Sequence, residues 1–181
     1  PGGSGPIGPY PPGVDTEEAR DDYDRLRRRV LWTLPSGLYV LGSRAGERRN
    51  GMTINWVTQV SFEPKLLAVG VEKTAFTHEL ISEGGVFALN TVAREDRAIV
   101  RKFTKPVEAE GNTLNGFPFH DGVTGAPILD QAPAYLDCEV RQAVEVGNHT
   151  LFIGEIVDAG FQAAEDTEVL RMEDTRMNYG G

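Results

Sequence analysis

From Leu38 onward, short apolar runs alternate with turn residues, a texture that predicts strands. Leu38 to Ser43 reads as a short apolar strand, Gly46 to Gly51 as a charged turn, and Met52 to Ser61 as a longer strand stopped by Pro64. Leu66 to Val71 is continuously apolar, as expected of a strand buried on both faces. Val86 to Thr91 repeats that pattern. In Ala134 to Val146, strict alternation puts Leu136, Cys138, Val140, Val144 and Val146 on one face. Gly147-Asn148 then makes a turn, and His149 to Asp158 runs back as the second arm of a hairpin. Helical spacing occurs in three places. Ala19, Tyr23, Leu26, Val30 and Leu34 follow a capping pair, Asp15 and Glu18, and Pro35 ends that helix. Thr74 to Glu83 stops at Gly84-Gly85, and Arg94 to Phe103 is shorter. Thr104 to Pro133, rich in Gly, Pro and Asn, predicts a long loop, and Gly160 to Gly181 a tail with one more strand or helix.

Six or seven strands with three helices around them do not alternate as βαβ units. The expected class is therefore mainly β: a barrel with a few flanking helices, not a doubly wound parallel sheet. Residues 1–14, dense in Pro and Gly, read as a flexible arm, and residues 15–181 as one domain.

Charge and cysteine content narrow the partners. Eighteen basic against 27 acidic residues leave a formal net charge of -9, which repels nucleic acid and anionic membranes. The basic run Arg25 to Arg29 is read as the solvated side of the first helix. No apolar stretch approaches the ~20 residues of a membrane-spanning helix. The single cysteine, Cys138, forms no intrachain disulfide and sits on an inward strand face as a small hydrophobe. With no signal-peptide pattern, the expected location is the cytoplasm.

Several motifs fail their context tests. Gly3, Gly5 and Gly8 have dinucleotide-fingerprint spacing but neither a strand before nor a helix after them. Asn148-His149-Thr150 matches a glycosylation sequon by chance. His78, His120 and His149 lack the spacing of a metal site, so no metal is expected. No serine-hydrolase elbow or phosphate-binding P-loop is present.

Gly51 to Thr77 is more informative. As one strand, Met52 to Ser61 places Thr53, Asn55, Val57, Gln59 and Ser61 on a face that is mostly polar yet uncharged. Such a row suits a heteroaromatic ligand, and equally an ordinary solvated face. Lys73, Thr74 and Thr77 then gather at a helix start, where free N–H groups favour an anion such as a phosphate.

The block GMTINWVTQVSFEPKLLAVGVEKTAFTHELISEGGVFALN resembles the core signature of the flavin reductase-like family, whose members bind FMN or FAD in a split β-barrel of Greek-key-like topology. VGNHTLFIGEIVDAG is similar to that family's later signature, and the terminal NYGG to its ending. The resemblance implies that Thr53, Ile54, Asn55, Trp56, Val57 and Thr58 line the flavin ring. Ser61 would face the ribityl chain or phosphate, and Lys73 and Thr77 would hold the phosphate with His78 close by. It puts His149 at the nicotinamide end, as the candidate catalytic group, and Tyr179 over the cofactor. Asn148 stands where the family commonly has Asp, which weakens a proton-donor role for His149. The implied activity is NAD(P)H-dependent flavin reduction, with NADH or NADPH as hydride donor, in a homodimer that can serve a partner monooxygenase. The alternative is a flavin-carrying electron-transfer protein that is not an enzyme.

Overall fold

The computed structural model describes residues 8–181, which form two units, residues 8–35 with Met177–Gly181 and residues Ser36–Arg176. In the first unit, α1 (Glu17–Leu31) is capped by Thr16, whose hydroxyl accepts from the Ala19 N–H at 3.1 Å. The cap is thus one residue beyond the expected Asp15. Glu17 and Glu18 in the first turn and Arg28 and Arg29 in the last suit the helix dipole. Tyr10 donates to Asp24 and packs edge-on against Tyr23, and Arg27 pairs with Asp24. The Trp32 indole N–H donates to the Gly180 carbonyl. Residues 1–7, half of the expected arm, lie outside the described residues.

The second unit carries the sheet. Its strands are β1 (Tyr39–Ala45), β2 (Arg48–Ile54), β3 (Val57–Ser61), β4 (Leu66–Glu72), β5 (Val86–Thr91), β6 (Ala109–Glu110), β7 (Thr113–Leu114), β8 (Phe117–Asp121), β9 (Pro127–Leu129), β10 (Ala134–Val146) and β11 (His149–Phe161). Seven of them form one antiparallel sheet in the order β2-β1-β5-β10-β11-β4-β3. The two edge strands, β2 and β3, are consecutive in sequence, joined only by Asn55 and Trp56. Laid flat, seven strands would separate those edges by about 29 Å. Three Cα steps reach at most about 11 Å. The sheet must therefore curl until its edges meet, which makes it a split barrel with Asn55-Trp56 at the seam.

This closure corrects the reading of Met52 to Ser61 as one strand. The Asn55 carbonyl accepts from the Val57 N–H, and the Trp56 carbonyl from the Gly70 N–H on β4, so the chain swaps partners at the seam. The expected charged turn is also shorter, because β2 already begins at Arg48.

Inside the barrel, Leu41, Val69, Val71, Phe87, Cys138 and Phe152 are buried together. Each such large apolar side chain contributes roughly 1.5–3 kcal/mol by leaving water. Burial, and then the neighbouring Asp137, pushes the Cys138 thiol up to about 12. The helix α2 (Phe76–Gly84) packs Leu80 and Ile81 inward and ends at Gly85, whose left-handed φ of 69° suits glycine. The short α3 (Ile99–Lys102) and a preceding 3-10 turn replace the longer helix expected over Arg94 to Phe103.

The segment read as a structureless loop instead holds a second antiparallel sheet, β6-β7-β8-β9. Ala126 and Ile128 pack on Val86 and Ala88, the outward face of β5. Asn90, fully buried, donates to the Val40 and Pro127 carbonyls and accepts from the Leu129 N–H, stitching β9 to the barrel. Along β10, bulges at Asp137/Cys138 and Val140/Gln142 break the expected alternation. Asp137 is as buried as Cys138, held by the Thr124 backbone N–H and hydroxyl, while Val146 is exposed. In the tail, Gly37 bridges Arg171 and Ala93 bridges Val169, and Leu170 is buried. No described helix is long and apolar enough to cross a membrane.

Candidate functional site

A cleft of about 480 Å³ opens at the seam, lined by Trp56, Val57, Thr58, Ala68, Gly70, Val146, Asn148, His149 and Leu151. Its position follows from the closure. Trp56 is fixed where the chain crosses between sheet edges, β4 and β11 supply the floor, and the β10–β11 turn supplies one wall. Gly70 keeps that floor flat: a methyl group there would touch the indole at 3.6 Å, an ordinary contact. The floor is otherwise apolar, from Ala68, Leu151 and Val146.

The polar groups are few and oriented. His149 lies against Trp56, with ring centroids 4.8 Å apart and planes tilted by 47°. Its Nδ1 is 2.6 Å from the Asn148 side-chain oxygen. Its Nε2 is closed off from water and has no hydrogen-bond partner. The Asn148 carbonyl accepts from the Lys73 N–H, which ties the turn before α2 to the wall of the cleft. Lys73 Nζ is 3.7 Å from Glu145 Oε1, an ion pair open to solvent.

Of the residues expected from the sequence, Trp56, Val57, Thr58 and His149 meet in this cleft, with Lys73 at the adjoining turn. The others lie elsewhere. Ile54 is in the barrel core. Thr53 donates its hydroxyl to the Val100 carbonyl, and the Asn55 amide is 3.4 Å from the Ser36 hydroxyl. Ser61 is at the far end of β3, paired with Leu66 beyond a bulge. Thr77 is 1% exposed, and its hydroxyl accepts from the buried Asn50 amide at 2.9 Å. His78 Nε2 contacts the Thr150 hydroxyl at 2.7 Å, and its ring packs on Phe152. Thr150 and Phe152 face the interior, whereas His149 and Leu151 face the cleft, so β11 separates the two histidines by alternation. Tyr179 belongs to the first unit and is half exposed. Sequence reasoning missed the floor residues Ala68, Gly70 and Leu151, because only the register of β4 against β11 and β3 brings them under Trp56. It also missed Asn50 as the partner of Thr77.

The α2 N-terminus has no side-chain cap, so its first N–H groups remain for an anion beside Lys73.

Residues 31–181 match the model of the flavin reductase like domain. The chain belongs to that family. It is 33% identical over 154 residues to a ferric-chelate reductase (NAD(P)H) of Archaeoglobus fulgidus, covering 84% of this chain and 90% of that protein. It is 34% identical over 133 residues to a high molecular weight rubredoxin of Moorella thermoacetica; the match covers 72% of this chain but 58% of that relative's length. Among solved structures, the NADH:FAD oxidoreductase SgcE6 of Streptomyces globisporus superposes with a TM-score of 0.73 at 27% identity. That match covers 89% of this chain and 93% of the other. The family's fold is the split barrel that the seam requires.

Proposed function

We propose that this protein reduces FMN or FAD with a reduced nicotinamide, NADH or NADPH, and that the flavin ring lies in the seam cleft. The observation that carries the reading is the cleft itself. Its volume of about 480 Å³ falls in the range of small-molecule sites, and it pairs an apolar floor with an aromatic wall and one unpartnered ring nitrogen. A flat heteroaromatic ring fits that combination. Of two similar proteins, SgcE6 is named an NADH:FAD oxidoreductase and the Archaeoglobus protein an NAD(P)H-dependent ferric-chelate reductase.

The flavin, when bound, supplies the ring that accepts the hydride. The chain supplies position. Trp56 flanks the ring, and Ala68, Gly70 and Leu151 form the floor beneath it. Backbone groups of Val57 and Thr58 meet its polar edge, and Lys73 with the α2 N-terminus attracts the phosphate. Thr77, buried with its hydroxyl engaged by Asn50, supports the start of α2 from the interior. Holding two rings in contact lowers the barrier without an acid or base. This accords with a site that gathers one histidine and no carboxylate among its lining residues.

The same reading includes a cytoplasmic homodimer and a partner monooxygenase as one destination for the reduced flavin. Exposed Val60 and Phe62 on and just after β3, and Val146 at the cleft, are apolar surface that a second copy would cover. The test is steady-state oxidation of NADH or NADPH with FMN or FAD added. Oxidation that requires both protein and flavin supports the proposal. No oxidation in any of the four combinations overturns it.

A further inference from the structure

We infer that α1 is a self-association element, which pairs antiparallel with α1 of a second copy of this chain. This rests on the homodimer in the reading above and not on the flavin. No residue of α1 is buried. Its apolar positions are nevertheless aligned: Ala19, Tyr23, Leu26 and Val30 follow at steps of four, three and four, which keeps them on one face. Leu26 is 48% exposed and Val30 58%. One exposed leucine carries no message, but a stripe along a helix is the face that ordinarily holds the helix in place.

One edge of the stripe is occupied. Tyr10 packs on Tyr23 there, with the Arg20 and Arg27 guanidinium groups over its ring. Along the other edge the charges are sorted. Glu18, Asp22, Arg25 and Arg29 each directly precede a stripe residue, so they line that edge in the order acid, acid, base, base. Among the described residues Glu18 and Arg29 make no ion pair, and Asp22 meets Arg25 only at 3.6 Å, with both side chains well exposed. This order selects the partner and its direction. A parallel second helix would set acid against acid. An antiparallel one in full overlap sets Glu18 and Asp22 against Arg29 and Arg25 of the second copy, twice over by two-fold symmetry. The same overlap lays Ala19 against Val30, and Tyr23 against Leu26, of the second copy. An anionic lipid surface would attract the arginines but repel the acidic half of the helix and a chain of net charge -9.

Sedimentation of the full chain tests this with two charge-reversal variants at exposed positions. Arg25→Glu with Arg29→Glu makes the open edge wholly acidic, and Glu18→Lys with Asp22→Lys makes it wholly basic. Each variant alone is expected to dimerise about ten- to hundredfold more weakly than wild type, as exposed ion pairs become like-charge contacts. An equimolar mixture of the two should form a heterodimer of near wild-type affinity, a recovery that neither misfolding nor a contact elsewhere on the chain produces. A monomeric wild type overturns the inference, and so does a mixture that stays monomeric. Variants that each dimerise as wild type does also overturn it, and leave the homodimer to the apolar surface at Val60 and Phe62. A monomeric wild type that floats with phosphatidylcholine–phosphatidylglycerol vesicles would assign the helix to a lipid surface instead. Failure of the flavin-reductase reading appears separately, as absence of NADH and NADPH oxidation.

Discussion

Replacing Thr77 with valine separates two roles for that residue. Its side chain is 1% exposed and its hydroxyl accepts from Asn50, itself 6% exposed, at 2.9 Å. Valine keeps the shape and removes the acceptor, so the Asn50 amide N–H is left buried without a partner. That loss costs about 1–3 kcal/mol, which in a domain of this size lowers Tm by about 2–12 °C. Changing both partners to apolar residues, Asn50→Leu with Thr77→Val, removes the orphan. The double variant should recover part of the loss, giving a coupling energy in a double-mutant cycle. FMN affinity should stay within about twofold of wild type, because the Thr77 hydroxyl faces Asn50 in the interior. The assays are thermal melts and FMN titration, with riboflavin as the phosphate-free control. A hydroxyl bonded to phosphate would behave otherwise: Tm nearly unchanged, and FMN but not riboflavin bound about ten- to hundredfold more weakly. That pattern would refute the interior placement of Thr77.

Other perturbations read different parts of the molecule. Cys138, its thiol pushed up to about 12 by burial, should resist maleimide at about pH 8 in the native state and react fully in denaturant; native labelling would contradict its burial. Hydrogen bonds from Arg49 hold the Asp121 carboxyl below its ordinary range. The stability lost in Arg49→Gln should therefore be present above about pH 4 and vanish as pH falls through the lowered value; with Asp121 half exposed it should stay under about 1 kcal/mol. A loss that persists unchanged at lower pH would mean that Arg49 acts by packing alone. Gly84→Ala places a methyl group on the Arg44 carbonyl oxygen, a backbone atom that cannot swing aside, and should cost more than about 2 kcal/mol by chemical denaturation.

The parts of the fold that were legible in the sequence are those with local causes. The spans Val86 to Thr91 and Ala134 to Val146 stand as read, because a glycine-containing turn marks one end of each, before Val86 and after Val146, although bulges break the alternation within the second. The hairpin turn at Gly147-Asn148 follows from its composition. What was not legible depends on distant parts of the chain. The break at Asn55-Trp56 comes from barrel closure, which no window of residues around it encodes. The strands of the second sheet are two to five residues long, too short for periodicity. They are held in part by Asn90, 39 residues before its partner Leu129, and by Asp137, which fixes Thr124 in the turn between β8 and β9. In the site, the resemblance pointed to Trp56 to Thr58 and His149, and these residues line one cleft. It did not show which side chains turn inward. Thr53, Thr77 and His78 each have an interior partner, Val100, Asn50 and Thr150, that alternation alone does not identify.

The chain holds two tryptophans, so Trp32→Phe leaves Trp56 as the sole indole. Its emission, followed while FMN is titrated, reports directly whether the flavin ring enters the seam cleft. Saturable quenching is expected, with the same dissociation constant as flavin binding measured by anisotropy. FMN that binds while Trp56 emission stays unchanged would place the flavin elsewhere and contradict the proposed site.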